Sequence, residues 1–198
     1  MATVPFNMMR FWSPMDKRGI RRATAWLCLP IFAILAWAFQ AGVQDPKLDT
    51  TDTQLVLKSL MLGQFVKANQ WPATDVSETF DVAVYDKPAL VDALASKFAG
   101  GAIGSLPLRV VSVDNVAEME VPRLLYTEAT GPELDNLLKA VKGMATMVVT
   151  AFQPSMKEGV LINFFISDDG LKYEINPEEA DKRGILLGNI IMSCAASR

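Results

Sequence analysis

The sequence predicts a single α/β domain: a mixed sheet with mostly parallel core strands, a C-terminal antiparallel hairpin, and helices on both faces. Three observations carry that expectation. Short apolar runs at 79–85, 108–113, 123–127 and 144–152 are interspersed with helix-length segments, a pattern that implies parallel pairing through right-handed crossovers. Two of them, 123–127 and 144–152, lack clean polar alternation, as strands buried on both faces do. Residues 160–175 read instead as strand, tight turn and strand. Asp168, Asp169 and Gly170 supply the turn, and Leu171, Tyr173 and Ile175 then share one face.

In chain order, residues 1–38 read as an export signal. Arg10, Lys17, Arg18, Arg21 and Arg22 form a basic flank, residues 23–39 are apolar and uncharged, and Ala36 and Ala38 offer a small-x-small cleavage site. The apolar run continued to residue 43 nearly reaches the roughly 20 residues that span a bilayer, so an uncleaved anchor is the alternative. In either case the body is expected outside the cytoplasm. Residues 39–53 are the linker, polar from Asp45 to Thr53, and 54–196 form the domain.

The domain opens with a helix running to about 68, capped by Thr51, Asp52 or Thr53 and carrying Leu55, Leu62 and Phe65 on an apolar stripe. Trp71 is expected to plug the core where that helix turns into the first strand. After strand 79–85, Asp86 is the expected cap of a helix opened by Pro88 and reaching 98. Gly100, Gly101 and Gly104 break the chain but follow a helix and lack the Lys-Ser/Thr of a phosphate loop. Asp114, Glu118 and Glu120 mark a solvated acidic connection. A turn at 128–132 leads through Pro132 into a helix ended by Gly143. Beyond the hairpin, Asn176 caps a helix opened by Pro177, with Glu178 and Glu179 in its first turn and Gly184 as a left-handed stop. Residues 185–195 are expected to close the domain as a helix, although Gly188 in its middle costs about 1 kcal/mol relative to Ala.

Composition narrows the function. The chain contains no His, which excludes His-based triads, His zinc sites and His proton shuttles. Ser59, Ser105, Ser155 and Ser167 lie outside any G-x-S-x-G elbow. The pair Asp168 and Asp169 is explained by a hairpin tip, so neither a metal nor a cofactor is expected, and the chain is not expected to be an enzyme. Residues 1–38 hold five basic residues and one acidic residue, a net +4. That leaves −7 on the other 160 residues of a chain whose total is −3. An acidic body without a basic patch or Arg-rich arm argues against nucleic acid as a partner. Cys28 falls in the apolar run and Cys194 on an apolar tail, so the body has no intramolecular disulfide and Cys194 is expected to be packed. A Cys194–Cys194 homodimer stays open. So does a small-ligand receptor, with Gly100, Gly101 and residues 127–131 rimming a pocket at the sheet's carboxyl edge.

Two stretches resemble the signatures of the YfiR-like family of small periplasmic proteins. Phe65, Trp71 and Pro72 match its N-terminal helix closing in an aromatic-x-Trp-Pro segment. Gly159, Gly170, Tyr173, Glu174, Ile175, Asn176 and Gly184 match its C-terminal strand, turn, strand and short helix. Asn69, Pro177 and Glu179 depart from residues often found there. The resemblance implies a non-enzymatic signalling inhibitor or adaptor of the periplasm. It would bind the sensor region of an inner-membrane diguanylate cyclase and hold it inactive. An outer-membrane lipoprotein would draw it away, raising cyclic di-GMP and biofilm formation. Carried over residue by residue, the family's partner contacts fall on Ile162, Glu174 and Ala180, the last smaller than the apolar residue expected at its position.

Overall fold

The computed structural model describes residues 50–73 and 77–196; the expected signal or anchor (1–38) and all but the end of the linker (39–53) lie outside the described residues. The elements run α1 (Thr50–Ala68), β1 (Phe80–Tyr85), α2 (Pro88–Phe98), β2 (Ala102–Ile103), β3 (Leu106–Val113), β4 (Leu124–Thr127), α3 (Gly131–Ala140), β5 (Met147–Ala151), β6 (Ile162–Ser167), β7 (Gly170–Ile175), α4 (Pro177–Lys182) and α5 (Asn189–Ser193). The helix α1 thus begins inside the segment expected to be linker. One seven-stranded sheet has the order β2-β3-β1-β4-β5-β6-β7. The pairs β3–β1, β1–β4, β4–β5 and β5–β6 are parallel, and β6–β7 and β2–β3 antiparallel.

Both faces of the central strands are covered, which is why their sequences do not alternate. All six residues of β1 are buried. On one face Leu62, Phe65 and Val66 of α1 and Leu90, Leu94 and Phe98 of α2 join Phe80, Val82 and Val84 in the larger core. On the other, Leu137 of α3 and Val141 pack with Ala83, Leu125, Val148 and Val160. The crossover from β3 to β4 carries only a 3-10 turn at Val116–Glu118. The sheet beneath it is thinly covered and left with a shallow groove of about 360 Å³ beside Asp81 and Arg109.

Three local expectations are corrected. Asp86 does not cap α2: its φ of 51° turns the chain in the left-handed region, and Lys87 occupies the cap position. The Gly-rich break at 100–104 is a small hairpin, in which Ala102 and Ile103 pair with Pro107 and Leu106 around the turn that Gly104 (φ 60°) permits. The closing helix is shorter than 185–195. Leu186 pairs with Gln70 through two backbone hydrogen bonds of 3.0 and 2.9 Å, and α5 starts only after Gly188. A Cβ on Gly188 would collide with the carbonyl oxygen of Ala68. The glycine therefore marks a close approach of two backbone segments rather than a weak point inside a helix.

Candidate partner-binding site

The corner made by β6, β7 and α4 is built from alternation and capping. Leu171 and Tyr173 are buried on one face of β7, and Glu174 falls on the other, paired in register with Asn163 of β6. Asn163 is fully buried, so its amide needs partners. It has them: Oδ1 accepts from the Thr150 hydroxyl at 3.0 Å and from the Gln153 N–H at 3.2 Å. Nδ2 donates to the Gln153 carbonyl at 3.2 Å and to Glu174 Oε1 at 2.7 Å. The half-buried Glu174 carboxylate is thereby fixed in direction by a short, charge-assisted bond.

Asn176 then caps α4, its Oδ1 accepting from the Glu179 N–H at 3.2 Å. One turn on, Arg183 is buried. Its Nε donates to Glu179 at 3.2 Å, and its two terminal nitrogens reach the carbonyls of Thr146 (3.0 Å) and Gly159 (2.9 Å). Burial alone would push the Glu179 carboxyl up, but the bonds from Arg183 and Lys182 outweigh it and hold it below its ordinary value. These contacts fasten α4 to the loops that precede β5 and β6.

The three residues expected at the partner surface do not share one environment. Ile162 and Ala180 are buried in the larger core, at 0% and 1% exposure. Their side chains support β6 and α4 from beneath, and only Glu174 reaches the surface. The other family-signature residues take places in packing, capping or turns. Phe65 stacks on Phe164 at 5.8 Å and meets Tyr173 edge-on at 5.0 Å. The Tyr173 hydroxyl donates to the Ile191 carbonyl at 2.9 Å, and burial, with Cys194 adding to it, pushes its pKa up to about 12. Trp71 is partly buried, edge-on to Phe80 at 4.9 Å, and its indole N–H donates to the Arg123 carbonyl at 3.1 Å. Ile175 packs against the same core as Trp71. Pro72 lies beside Gly184, which takes the left-handed φ of 66°, and Gly159 and Gly170 also have positive φ. Cys194 is exposed rather than packed, because α5 turns Ile191 inward.

A second cluster was not foreseen. The sheet's topological switch lies between β1 and β4, where the chain continues to β3 on one side and β5 on the other. Glu128 there binds Lys58 at 2.6 Å, Lys87 at 2.8 Å and the Tyr126 hydroxyl at 2.6 Å. Burial would raise the Glu128 carboxyl, but these three bonds overcome it and bring it down to about 2. The Lys58 ammonium also sits 4.5 Å over the ring of Phe152, itself held at a φ of 63°. Lys58 and Glu128 are 70 residues apart, so no sequence spacing announces the pair. The cavity left beside Lys87 and Glu128 is about 230 Å³, below the roughly 300–1,000 Å³ of small-molecule sites. Gly100 and Gly101 lie at the opposite, amino edge, because α2 runs the chain back before β3 starts. The pocket rim expected from these glycines and residues 127–131 is therefore not assembled.

No curated protein matches the chain. The family model described as YfiR/HmsC-like matches residues 56–195, from the early turns of α1 to just past α5. That span covers well over half of the chain and includes both signature segments, and so the protein belongs to the YfiR/HmsC-like family.

Proposed function

We propose that the protein is a periplasmic, non-enzymatic adaptor that binds the sensor region of an inner-membrane protein such as a diguanylate cyclase and restrains it. Family membership carries the reading, because it points to a regulatory, non-catalytic protein. The basic flank and apolar run at the N-terminus support export, and an outer-membrane lipoprotein is the natural competitor for the same surface. The corner of β6, β7 and α4 is the contact surface we favour. Glu174 is presented there in a fixed orientation by Asn163, so little side-chain entropy opposes its pairing with a partner. Ile162 and Ala180 act on the partner through the backbone they support.

The test compares wild type with Glu174→Ala in capture of membrane proteins from envelope extracts, followed by titration with the captured protein. The substitution removes one acceptor from Asn163, and a stability loss of about 1 kcal/mol is expected. Loss of a charge-assisted contact weakens binding by roughly 2 kcal/mol or more. Undiminished binding by folded Glu174→Ala protein would move the interface off this corner.

A further inference from the structure

The body is acidic, and no basic run stands out along its sequence. The fold nevertheless gathers one from three separate segments. At the amino edge of the sheet, the end of α3, the loop before β6 and the helix α4 surround a groove of about 730 Å³. Lys139, Lys142, Lys157 and Lys182 line it, with the Arg183 guanidinium in its wall. Leu138 and Gly159 supply apolar lining. A side chain at Gly159 would press against Leu138, with its Cβ 3.2 Å from Leu138 Cδ2.

The acids at the groove are mostly spoken for. Asp135 pairs with Lys157 at 2.7 Å, and Glu179 is shared between Arg183 at 3.2 Å and Lys182 at 3.4 Å. Lys139 and Lys142 are exposed, and among the described residues neither has a carboxylate within ion-pair distance. Lys139 in the last turn of α3 suits the negative end of that helix, which accounts for one cation but not for the convergence. The net effect is surplus positive charge over a concave, partly apolar floor, on a body of opposite sign.

We propose that this groove receives an extended acidic segment of the protein partner, with carboxylates at Lys139 and Lys142 and apolar atoms against Leu138 and Gly159. The inference rests on the adaptor reading and gives the partner's chemistry. Two features favour a peptide over other anions. The lysines stand around a concave, partly apolar floor, which an extended chain can fill and a flat lipid surface cannot reach. The helix α4 also forms one wall, so a partner seated at Glu174 is already on a neighbouring element.

The test uses the purified full chain and a fluorescently labelled, N-acetylated hexaglutamate peptide. A Gly-Ser peptide, phosphatidylglycerol vesicles and a single-stranded oligonucleotide serve as the other probes. Hexaglutamate is expected to bind, and to bind about tenfold more weakly to Lys139→Ala/Lys142→Ala or in 0.5 M salt. Both lysines are exposed, so stability should be unchanged within about 0.5 kcal/mol. Lys67→Ala/Lys97→Ala, on α1 and α2, is the control and should bind as wild type does. Equal affinity in the two double variants overturns the proposal. So does binding of vesicles or oligonucleotide, but not peptide, through Lys139 and Lys142. Envelope capture separates the two readings. Capture of a membrane protein that Glu174→Ala abolishes but Lys139→Ala/Lys142→Ala leaves intact keeps the adaptor and removes the groove. Peptide binding through the two lysines without any membrane-protein capture keeps the groove and removes the adaptor.

Discussion

Replacing Arg183 with Met isolates what one buried guanidinium does for the architecture of this corner. The side chain is 4% exposed and pairs with a Glu179 side chain that is 9% exposed. Its Nη1 is shared among the carbonyls of Thr146 (3.0 Å), Val141 (3.3 Å) and Met144 (3.4 Å), while Nη2 serves Gly159 at 2.9 Å. Methionine keeps the apolar stem but removes every donor. The carboxylate of Glu179 is then buried with only Lys182 nearby. Removing one partner of a buried ion pair costs about 3–5 kcal/mol, against a total stability of about 5–15 kcal/mol for a domain. The deficit should depend on pH. In wild type the Glu179 carboxyl sits below its ordinary value of 4.5, so its contribution is present above pH 4.5 and lost as pH falls through the depressed value. In Arg183→Met burial is opposed only by Lys182, so that carboxyl moves up, and protonation relieves the variant as pH falls. Urea denaturation at pH 7 and pH 4 should show a gap of about 4 kcal/mol that narrows at the lower pH. Glu179→Gln/Arg183→Met should be less damaged than the sum of its single changes. A gap under about 1 kcal/mol, or one indifferent to pH, would refute the account of Arg183 as an ionic staple.

Two further outcomes follow from the same reasoning. Glu128 is held at about 2 against an ordinary value of 4.5, so its stabilisation is complete above pH 4.5 and disappears as pH falls toward 2. Thermal melts from pH 5 to 2 should therefore fall more steeply for wild type than for Glu128→Gln, with a difference on the order of 1–3 kcal/mol; parallel curves would contradict this. Gly188→Ala puts a methyl group into the Ala68 carbonyl, and backbone cannot yield as a side-chain end would. A loss of roughly 1–3 kcal/mol and faster proteolysis of the α5 segment are expected, whereas a neutral Gly188→Ala would mean that α5 is not seated on α1 as described.

Periodicity and turn chemistry made the sheet legible because they are local. The hairpin, the Asn176 cap and the helix opened by Pro177 each depend on residues within a few positions of one another, and each is found where the sequence predicts it. The error at Asp86 is instructive for the same reason. Asp is both a good cap and a residue that tolerates the left-handed region, and the choice was made by Val113, whose carbonyl accepts the Asp86 N–H at 3.2 Å. That contact spans β1 and β3 and cannot be read locally. The short closing helix has a similar origin, since Gly188 answers to Ala68 in a different element. The candidate site was half legible. Alternation correctly turned Glu174 away from Tyr173, but the amide of Asn163 that orients it comes from the facing strand.

The burial of Ile162 and Ala180 changes what the proposed partner surface means here. A resemblance carries positions across, not the depth at which each side chain sits. Both residues are in the core, yet each belongs to an element that delivers something to the surface: β6 carries Asn163, which orients Glu174, and α4 carries Lys182 beside Arg183. A change at either buried position alters packing under those elements, and close-packed interiors transmit such changes rather than absorb them. Positions of this kind can govern recognition without touching the partner. On our proposal the surface is defined by what the elements present: a fixed carboxylate on β7, and cations on α4 and on the segments that Arg183 ties to it. Its charge pattern is a property of the assembled fold, because the basic residues involved come from α3, the loop before β6 and α4, and no stretch of an acidic chain shows them together.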